Sequence, residues 1–249
     1  MLLRVGQSPS ALAIARYGKH LDLLEVRLDN GAPRRRTLEA MKSESPADLV
    51  FAVLVPKRLA ALEQDPSEGE GPALVTNVIE TARSLSARWL VLRTPSSARP
   101  GSRTRERLAQ LIAQLKPAGV PIAWEPSGLL AEADAEAQAA SLGVTLARDP
   151  ARDDLPEGPI AYGRIQSLGA GGRVRSSALQ RAADRLAGFE EAYVVLEGDN
   201  ALRAAKDLRG LLGVERGAAA GDNDTEDEQD FDDEEDLDDE DDDFEDEDS

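Results

Sequence analysis

Carboxylates at the ends of short apolar runs are the residues of this sequence best suited to chemistry. Glu25, Glu125, Asp149 and Glu197 each close or follow such a run. If the runs are parallel strands of one sheet, their carboxyl ends meet at one edge, where carboxylates can act as acid and base or hold a hard divalent cation. We assign the candidate catalytic role to Glu25, Glu125 and Asp149, and we assign no metal ligands and no cofactor. The alternative is that these carboxylates pair with inward-facing arginines in a structural network.

Arginines and a few other polar residues lie close to these carboxylates in the sequence. A guanidinium is always charged, and its planar fork matches a carboxylate or a phosphate. Side chains alternate between the two faces of a strand, so Glu25 and Arg27 share one face, and so do Tyr162 and Arg164. Neutralisation of neighbouring carboxylates and binding of a ligand both fit this pattern. The candidate ligand-binding residues are Arg27, Lys57, Arg93, Tyr162, Arg164, Arg173, Arg175 and Asn200.

A glycine-rich segment at 169–172 precedes Arg173, Arg175 and a predicted helix over 176–187. Glycines let backbone N–H groups approach an anion closely, and a helix N-terminus favours negative charge. The loops after the seventh and eighth strands of TIM barrels often bind phosphate in this way. The segment therefore predicts a phosphate site, while a flexible loop of small residues would have the same composition.

Several classes of chemistry are excluded by composition. The chain has no cysteine, which excludes disulfides, thiolate catalysis and cysteine-ligated metals. His20 is the only histidine, so a multi-histidine metal site is excluded, and no serine at a strand end has a histidine partner for a catalytic triad. No run approaches the roughly 20 apolar residues of a membrane span, and the N-terminal run is too short for a signal peptide. We expect a cytoplasmic protein without a membrane segment.

Eight apolar runs position these residues, and most are separated by amphipathic stretches of helical length. This rhythm predicts an α/β protein with a TIM-type (β/α)8 barrel. No regular sixth helix is predicted, because the segment between the sixth and seventh runs lacks a helical pattern. An open Rossmann-like sheet is the rival, but no G-x-G-x-x-G follows any run. The runs are 2–5, 23–28, 49–55, 89–92, 121–124, 144–147, 160–165 and 193–196.

Several segments, taken in order, resemble the domain-of-unknown-function family 72, the YecE-like barrels. The segment RYGKHLDLLEV at 16–26 resembles the family's helix end and second strand, and FAVLVPKRL at 51–59 is similar to its FRFAVKAPRxIT. Trp124-Glu125-Pro126 is similar to its EPRH, and Tyr162-Gly163-Arg164 to its YxRxH. The final run with Asn200-Ala201 resembles its last strand and asparagine-rich turn. The resemblance spans about 2–213 and implies a TIM-type barrel, distantly similar to sugar-phosphate isomerase and endonuclease barrels, with no established activity.

The sequence departs from that family at strand ends. Ser127-Gly128 stands where Arg-His is usual, Gln166 where His is usual, and Glu197-Gly198 where paired Asn is usual. These changes favour a barrel whose site has lost its chemistry, whereas the retained Glu125, Tyr162 and Arg164 favour a working site.

The C-terminal segment accounts for the net charge of the chain. Residues 222–249 contain 21 acidic and no basic residues, whereas the rest of the chain has 27 acidic and 29 basic residues. The net charge of −19 therefore comes from this segment. Self-repulsion and the scarcity of apolar residues predict disorder. We therefore divide the chain into a barrel at 1–215 and a disordered acidic tail at 216–249. Arg34–36 and the arginines of 99–107 are too few for a nucleic-acid footprint, so nucleic-acid binding is not expected.

Two functions from different classes remain open at this point. The first is a barrel that binds a small anionic or phosphorylated ligand at its C-terminal mouth and, if catalytic, acts as a hydrolase or isomerase, because no dinucleotide fingerprint is present. The second is a non-catalytic interaction module whose acidic tail binds a basic protein or shields the barrel's own basic patches. Whether the protein is an enzyme is not decided by the sequence.

Overall fold

Eight parallel strands alternate with helices along the computed structural model, which describes residues 1–8, 13–132, 134–167 and 172–215. The strands are β1 Leu2–Gln7, β2 Leu23–Arg27, β3 Val50–Leu54, β4 Trp89–Arg93, β5 Ile122–Glu125, β6 Thr145–Leu146, β7 Ile160–Gln166 and β8 Glu191–Glu197. The helices are α1 Ile14–His20, α2 Arg35–Glu44, α3 Lys57–Ala60, α4 Gly71–Leu85, α5 Ser102–Leu115, α6 Leu129–Glu132, α7 Ala135–Leu142, α8 Ser176–Leu186 and α9 Ala201–Leu212.

The strands form two hydrogen-bonded arcs, in the orders β2-β3-β4-β5-β6 and β1-β8-β7, and every pairing is parallel. The arcs meet at two seams. At the first, the Asp22 amide donates to the Val5 carbonyl at 3.1 Å. At the second, Arg148 and Gly163 form a parallel bridge, in which the Arg164 amide donates to the Arg148 carbonyl at 3.1 Å. The fold is therefore the TIM-type barrel that the sequence predicted, and the open-sheet alternative is wrong.

A glycine and a buried tyrosine make the seam between β1 and β2 possible. A Cβ atom on Gly6 would lie 2.3 Å from the Leu23 carbonyl oxygen, so only glycine allows this approach without a backbone shift. The Tyr17 hydroxyl donates to the Leu23 carbonyl at 2.5 Å and accepts from the Gln7 amide at 2.9 Å. The side chain thereby satisfies one backbone group on each strand where the sheet ladder is interrupted.

Side chains on the two faces of the strands form two separate apolar clusters. One face packs against the helices, and the other fills the barrel interior with Trp89, Tyr162, Tyr193 and aliphatic residues. The Trp89 ring lies edge-on to Tyr162 and Tyr193, with centroids 5.4 and 5.3 Å away. Because both faces are buried, the strands read as continuous apolar runs rather than as alternating ones.

The segment between β6 and β7, all of it described, contains no helix, as the sequence predicted. A short turn follows β6 instead, and α8 holds it in place. Arg181 donates from Nε to the Ala151 carbonyl at 2.9 Å, and Arg185 donates from Nη1 to the Pro150 carbonyl at 2.9 Å. Two arginines of the next helix therefore satisfy backbone carbonyls that a sixth helix would have bonded internally.

Other elements differ from the prediction or lie outside the described residues. Between β5 and β6, where the alternating pattern predicts a single helix, the chain forms two helices, α6 and α7, with Asp134 at a φ of 44° before the second. The short helix α3 was not predicted, because four residues carry no periodic pattern. The glycines at 169 and 171 and the acidic tail fall outside the described residues. Within those residues, no helix is long and apolar enough to span a membrane.

A buried ionic group ties the middle of β1 to the residue that precedes β2. The Asp22 carboxylate accepts from the Val5 amide at 2.7 Å and from Nη2 of Arg209 at 2.8 Å. Arg209, on α9, also donates to the His20 carbonyl at 3.1 Å. This group lies at the face of the barrel opposite the strand ends that carry the candidate site, which fits a role in stability.

Candidate functional site

Five charged side chains from five strands meet inside the C-terminal end of the barrel. We call them the mouth cluster; its members are Glu25, Arg93, Glu125, Arg164 and Glu197. Each occupies the last or a late inward-facing position of its strand, because side chains of one parity point to the same face. The barrel thus brings together residues that lie up to 172 positions apart in the chain.

Arg164 lies at the centre of the mouth cluster and uses three nitrogens on three carboxylates. Its Nη2 contacts Oε1 of Glu25 at 2.5 Å, its Nε contacts Oε2 of Glu125 at 2.8 Å, and its Nη1 contacts Oε1 of Glu197 at 3.1 Å. Burial disfavours the guanidinium charge, but Glu25 and Glu125 outweigh it and raise the pKa of Arg164 well above its ordinary value. The guanidinium is therefore a permanent cation.

Arg93 joins two of the same carboxylates from the outer side. Its Nε lies 3.0 Å from Oε2 of Glu125, and its Nη1 lies 3.0 Å from Oε1 of Glu197. The side chains of Arg93 and Glu197 are 29% and 25% exposed, against 2% for Arg164 and 1% for Glu25. The mouth cluster therefore has an enclosed inner half and an outer half that is partly exposed to solvent.

The inner half rests on the aromatic residues of the barrel interior. The Tyr162 hydroxyl donates to Oε1 of Glu25 at 2.9 Å. Burial, followed by the charge of Glu25, raises the pKa of Tyr162 well above its ordinary value, so the phenol stays protonated and acts as a donor. Two buried polar atoms nearby, Oε2 of Glu25 and Nε1 of Trp89, have no hydrogen-bond partner.

Further predicted residues lie around the mouth cluster rather than in it. Arg27, which is exposed at the end of β2, donates from Nη2 to the Ser8 hydroxyl at 2.8 Å. Lys57 is the exposed first residue of α3, and its backbone amide donates to Oδ1 of Asp29 at 2.9 Å. Because the Lys57 ammonium is exposed and not desolvated, it is not placed like the nucleophilic lysines that form Schiff bases.

Asn200 connects the turn after β8 to the segment before α8. Its side-chain amide accepts from the Val174 amide at 2.8 Å and donates to the Val174 carbonyl at 3.1 Å. Arg173 and Arg175 flank Val174, so this two-point contact holds both close to the strand that carries Glu197. The predicted role of Asn200 was ligand binding, but its amide is already occupied by backbone groups.

Asp149 is not joined to Glu25 or Glu125 by any contact. Its Oδ1 accepts from the Ala151 amide at 2.9 Å, and its Oδ2 lies 3.4 Å from Nε of Arg152. Burial raises the pKa of Asp149 and outweighs the Ala151 hydrogen bond and the charge of Arg152, which lower it. The geometry is that of a carboxylate that closes the turn after β6.

Comparison with solved structures identifies the fold. No sequence profile of a known family matches this chain, and no match to a curated protein is significant. A DUF72 family protein from Enterococcus faecalis superposes with a TM-score of 0.69 over 89% of this chain and 99% of its own, at 12% identity. A DUF72 family protein from Thermotoga maritima superposes with a TM-score of 0.64 over 85% of this chain and 99% of its own, at 15% identity. A xylose isomerase domain-containing protein from Salmonella typhimurium superposes with a TM-score of 0.55 over 85% of this chain and 94% of its own, at 12% identity.

This chain has the fold of the DUF72 family. The near-complete coverage of both chains means that the barrel is matched as a whole and not in a single βα unit. At sequence identities of 12–15%, the similarity to these structures shows the fold alone and assigns no role to any side chain. In this chain the mouth cluster lies at the C-terminal ends of the strands, the face at which TIM-barrel enzymes carry their active sites.

The structure shows the pairing of Glu25 and Glu125 with arginines that the sequence had left open as an alternative. It adds Glu197, a strand-end carboxylate that was noted but not assigned a role. The signal was present in the sequence, since Glu197 has the same parity as Tyr193, which also points inward. The Arg148 guanidinium, by contrast, donates to the Ala131 carbonyl at 3.2 Å and forms no ion pair with the carboxylates of the mouth cluster.

Proposed function

We propose that the mouth of this barrel binds a small anionic or phosphorylated ligand. In this arrangement the anionic group lies at the rim, formed by Arg27, Lys57, Arg173 and Arg175. The uncharged, hydrogen-bonding part of the ligand lies against Arg93 and Glu197. Small-ligand binding at this end is the common use of the TIM-type fold.

Charge favours the rim over the centre as the place of the anion. The mouth cluster contains three carboxylates and two guanidiniums, and each guanidinium already pairs with at least two carboxylates. An added anion would be repelled there. The four rim cations form no ion pair with any carboxylate in the described part of the chain, so their charges are available.

The observation that carries the proposal is the contact between Asn200 and Val174. It holds the segment with Arg173 and Arg175 beside the turn that follows Glu197, which supports a site that combines these two arginines with the outer half of the mouth cluster. Helix α8 begins directly afterwards and has no side-chain cap at its N-terminus. Unpaired N–H groups of a first helical turn and neighbouring arginines are jointly suited to an anion.

Proton transfer is the chemistry that this arrangement supports best, as in an isomerase or a hydrolase. Glu125 and Glu197 are the cluster carboxylates nearest to solvent and can act on a bound ligand. Glu25 is 1% exposed and is better placed to position Arg164 and Tyr162. Asp149 lies apart and is given no role in this reaction.

A thermal-unfolding screen of the intact chain tests the proposal. The panel contains inorganic phosphate, sugar phosphates, nucleotides, short oligonucleotides and uncharged sugars at constant ionic strength. We expect a saturable rise of the unfolding midpoint for phosphorylated small molecules, because a ligand at a hundredfold excess over Kd stabilises by roughly 2.7 kcal/mol. The double substitution Arg173→Ala/Arg175→Ala should remove the rise.

The matched control is Arg103→Ala/Arg105→Ala, which deletes two exposed arginines near the N-terminus of α5. This control should leave the ligand-induced rise of the unfolding midpoint unchanged, because it removes the same positive charge away from the proposed site. A flat response to every anion, or an equal loss in both double variants, would show that no anion site exists at the rim.

A second candidate function is a non-catalytic interaction module, and one observation favours it. Arg93 and Arg164 each already pair with at least two carboxylates, as expected for a cluster that only stabilises the barrel. In that case the acidic tail at 222–249 would supply the function by binding a basic protein or by shielding basic patches of the barrel. Capture of one basic partner by the intact chain, and its loss on deletion of 222–249, would support this candidate.

A further inference from the structure

We infer that the ligand of the mouth is a polyhydroxylated phosphate, such as a sugar or polyol phosphate, and not a nucleotide. Its hydroxyl groups bond Arg93, Glu125 and Glu197, the members of the mouth cluster nearest to solvent. The inference rests on the proposed anion site for the position of the phosphate, and it adds the chemical class of the rest of the ligand.

Both arginines of the mouth cluster hold each outer carboxylate through one of its two oxygens. Oε2 of Glu125 lies 3.0 Å from Nε of Arg93 and 2.8 Å from Nε of Arg164. Oε1 of Glu197 lies 3.0 Å from Nη1 of Arg93 and 3.1 Å from Nη1 of Arg164. The second oxygen of each carboxylate, together with Nη2 of Arg93, takes part in none of these contacts. The three side chains are 11% to 29% exposed, so these atoms are suited to bonding a ligand.

Hydroxyl groups complement this set of atoms better than a charged ligand group does. A carboxylate accepts hydrogen bonds and a guanidinium donates them, so a ligand that meets both must donate and accept at neighbouring positions. A hydroxyl does both, whereas a phosphate oxygen would be repelled by the two carboxylates and an ammonium could not accept from Arg93. Adjacent hydroxyls of a polyol can therefore bond a carboxylate oxygen and Nη2 of Arg93 at once, while the phosphate lies at the rim.

The aromatic side chains lie where they cannot hold a nucleobase at the mouth. Before the tail, every aromatic side chain except Phe189 is at most 5% exposed, including Trp89, Tyr162 and Tyr193 in the barrel interior. Phe189 is partly buried and precedes β8, at the end of the barrel opposite the mouth cluster. Proteins hold nucleobases largely by stacking them on aromatic faces. The described part of the mouth offers no such face, which favours a ligand bound through hydroxyl groups.

The affinities of five compounds for the full-length protein test this inference, measured by isothermal titration calorimetry at constant ionic strength. Glycerol phosphate and propyl phosphate share a phosphate ester on a chain of equal length and differ only in their hydroxyl groups. Adenosine monophosphate differs from ribose phosphate by its base. Inorganic phosphate reports on the anion site alone.

We expect glycerol phosphate to bind the wild type about tenfold more tightly than propyl phosphate, or more, because hydrogen bonds to charged groups are strong. Adenosine monophosphate should bind no more tightly than ribose phosphate. Equal affinities for glycerol phosphate and propyl phosphate, or a clear preference for adenosine monophosphate, would overturn the inference while the anion site stands. Failure of all five compounds, inorganic phosphate included, would instead refute the anion site and the inference that rests on it.

Substitution of the outer carboxylates locates the hydroxyl contact. Glu197→Gln and Glu125→Gln should each lower the preference for glycerol phosphate over propyl phosphate. Exposed Glu190, just before β8, provides the matched control, because Glu190→Gln makes the same chemical change at the opposite end of that strand and should leave the preference unchanged.

A preference that survives in both Glu197→Gln and Glu125→Gln, or that Glu190→Gln lowers equally, would overturn the assignment of these carboxylates. The comparison of glycerol phosphate with propyl phosphate needs only the wild type, so it decides the inference even if neither variant folds.

Discussion

At the scale of single residues, burial divides the mouth cluster into two halves with different tasks. Arg164 and Glu25 are enclosed and mutually paired, whereas Arg93 and Glu197 keep about a quarter of their side-chain surface exposed. Removing one partner of an enclosed pair leaves an uncompensated charge, while an exposed pair is largely screened by water. The inner residues are therefore expected to control stability and the outer ones to control ligand contact.

Substitution of the central arginine is expected to be strongly destabilising. Arg164→Met removes the cation but keeps apolar volume, and it should lower the free energy of unfolding by about 3–5 kcal/mol, measured by urea denaturation. The control Arg58→Met breaks an exposed pair with Glu70, and it should change the free energy of unfolding by no more than about 0.5 kcal/mol. Equal effects of the two substitutions would contradict the assignment of Arg164 as the centre of the cluster.

The raised pKa of Asp149 predicts a pH dependence of stability. Burial raises this pKa above its ordinary value of 3.8, so the folded state holds this proton more tightly than the unfolded state does. Stability contributed by this group is therefore lost as the pH rises from about 4 through the folded-state pKa. Asp149→Asn abolishes the titration and keeps the acceptor for the Ala151 amide.

The difference in unfolding free energy between Asp149→Asn and wild type should therefore grow in favour of the variant between pH 4 and pH 7. Urea denaturation at several pH values measures it, and exposed Asp207→Asn corrects for the loss of one negative charge. A difference that stays constant or shrinks over this range would show that burial does not dominate at Asp149.

Strand ends and strand parity were sufficient to predict most of the mouth cluster, including Glu25, Arg93, Glu125 and Arg164. They did not predict the surroundings of Asp149, because its carboxylate accepts from the Ala151 amide, and that hydrogen bond is set by the backbone of a single turn. The same holds for Asn200, whose amide meets Val174 only because two loops that are distant in sequence adjoin. Contacts of this kind depend on tertiary geometry, for which local sequence carries no periodic signal.

At the scale of elements, the barrel depends on two seams where the sheet ladder is thin. The seam between β1 and β2 is held by the Asp22 amide, by the Tyr17 hydroxyl and by the absence of a side chain at Gly6. The apolar runs predicted every strand, because strands that are buried on both faces have nearly continuous apolar sequences. Short helices such as α3 were missed, because they are fixed by packing and not by intrinsic helix formation.

Addition of one methyl group at the first seam is expected to be costly. Gly6→Ala places a Cβ 2.3 Å from a backbone oxygen of β2, so the strands must separate, at a cost of about 1–3 kcal/mol or more. Gly188→Ala is the matched control, because no atom lies within 4 Å of its added Cβ, and it should change stability by no more than about 0.5 kcal/mol. Equal urea midpoints for the two variants would mean that this seam does not limit closure.

At the scale of the whole molecule, charge is concentrated at one end of the sequence. Residues 222–249 lie outside the described residues, and their acidic composition accounts for the net charge of −19. Deletion of 222–249 is expected to leave the ligand-induced rise of the unfolding midpoint unchanged, since every residue of the proposed site precedes the tail. A loss of the rise on deletion would show that the tail contributes to the site, contrary to the anion-site proposal.

The most direct test of the anion site is a titration followed on the arginine Nε–Hε signals of the 15N-labelled, full-length protein. The ligand is inorganic phosphate or the phosphorylated compound with the largest effect on the unfolding midpoint. The account predicts saturable shifts for Arg27, Arg173 and Arg175, a smaller shift for Arg93 and none for the enclosed Arg164. Shifts confined to Arg103 and Arg107, which line a separate surface depression of about 190 Å³, or no saturable shift at any arginine, would contradict it.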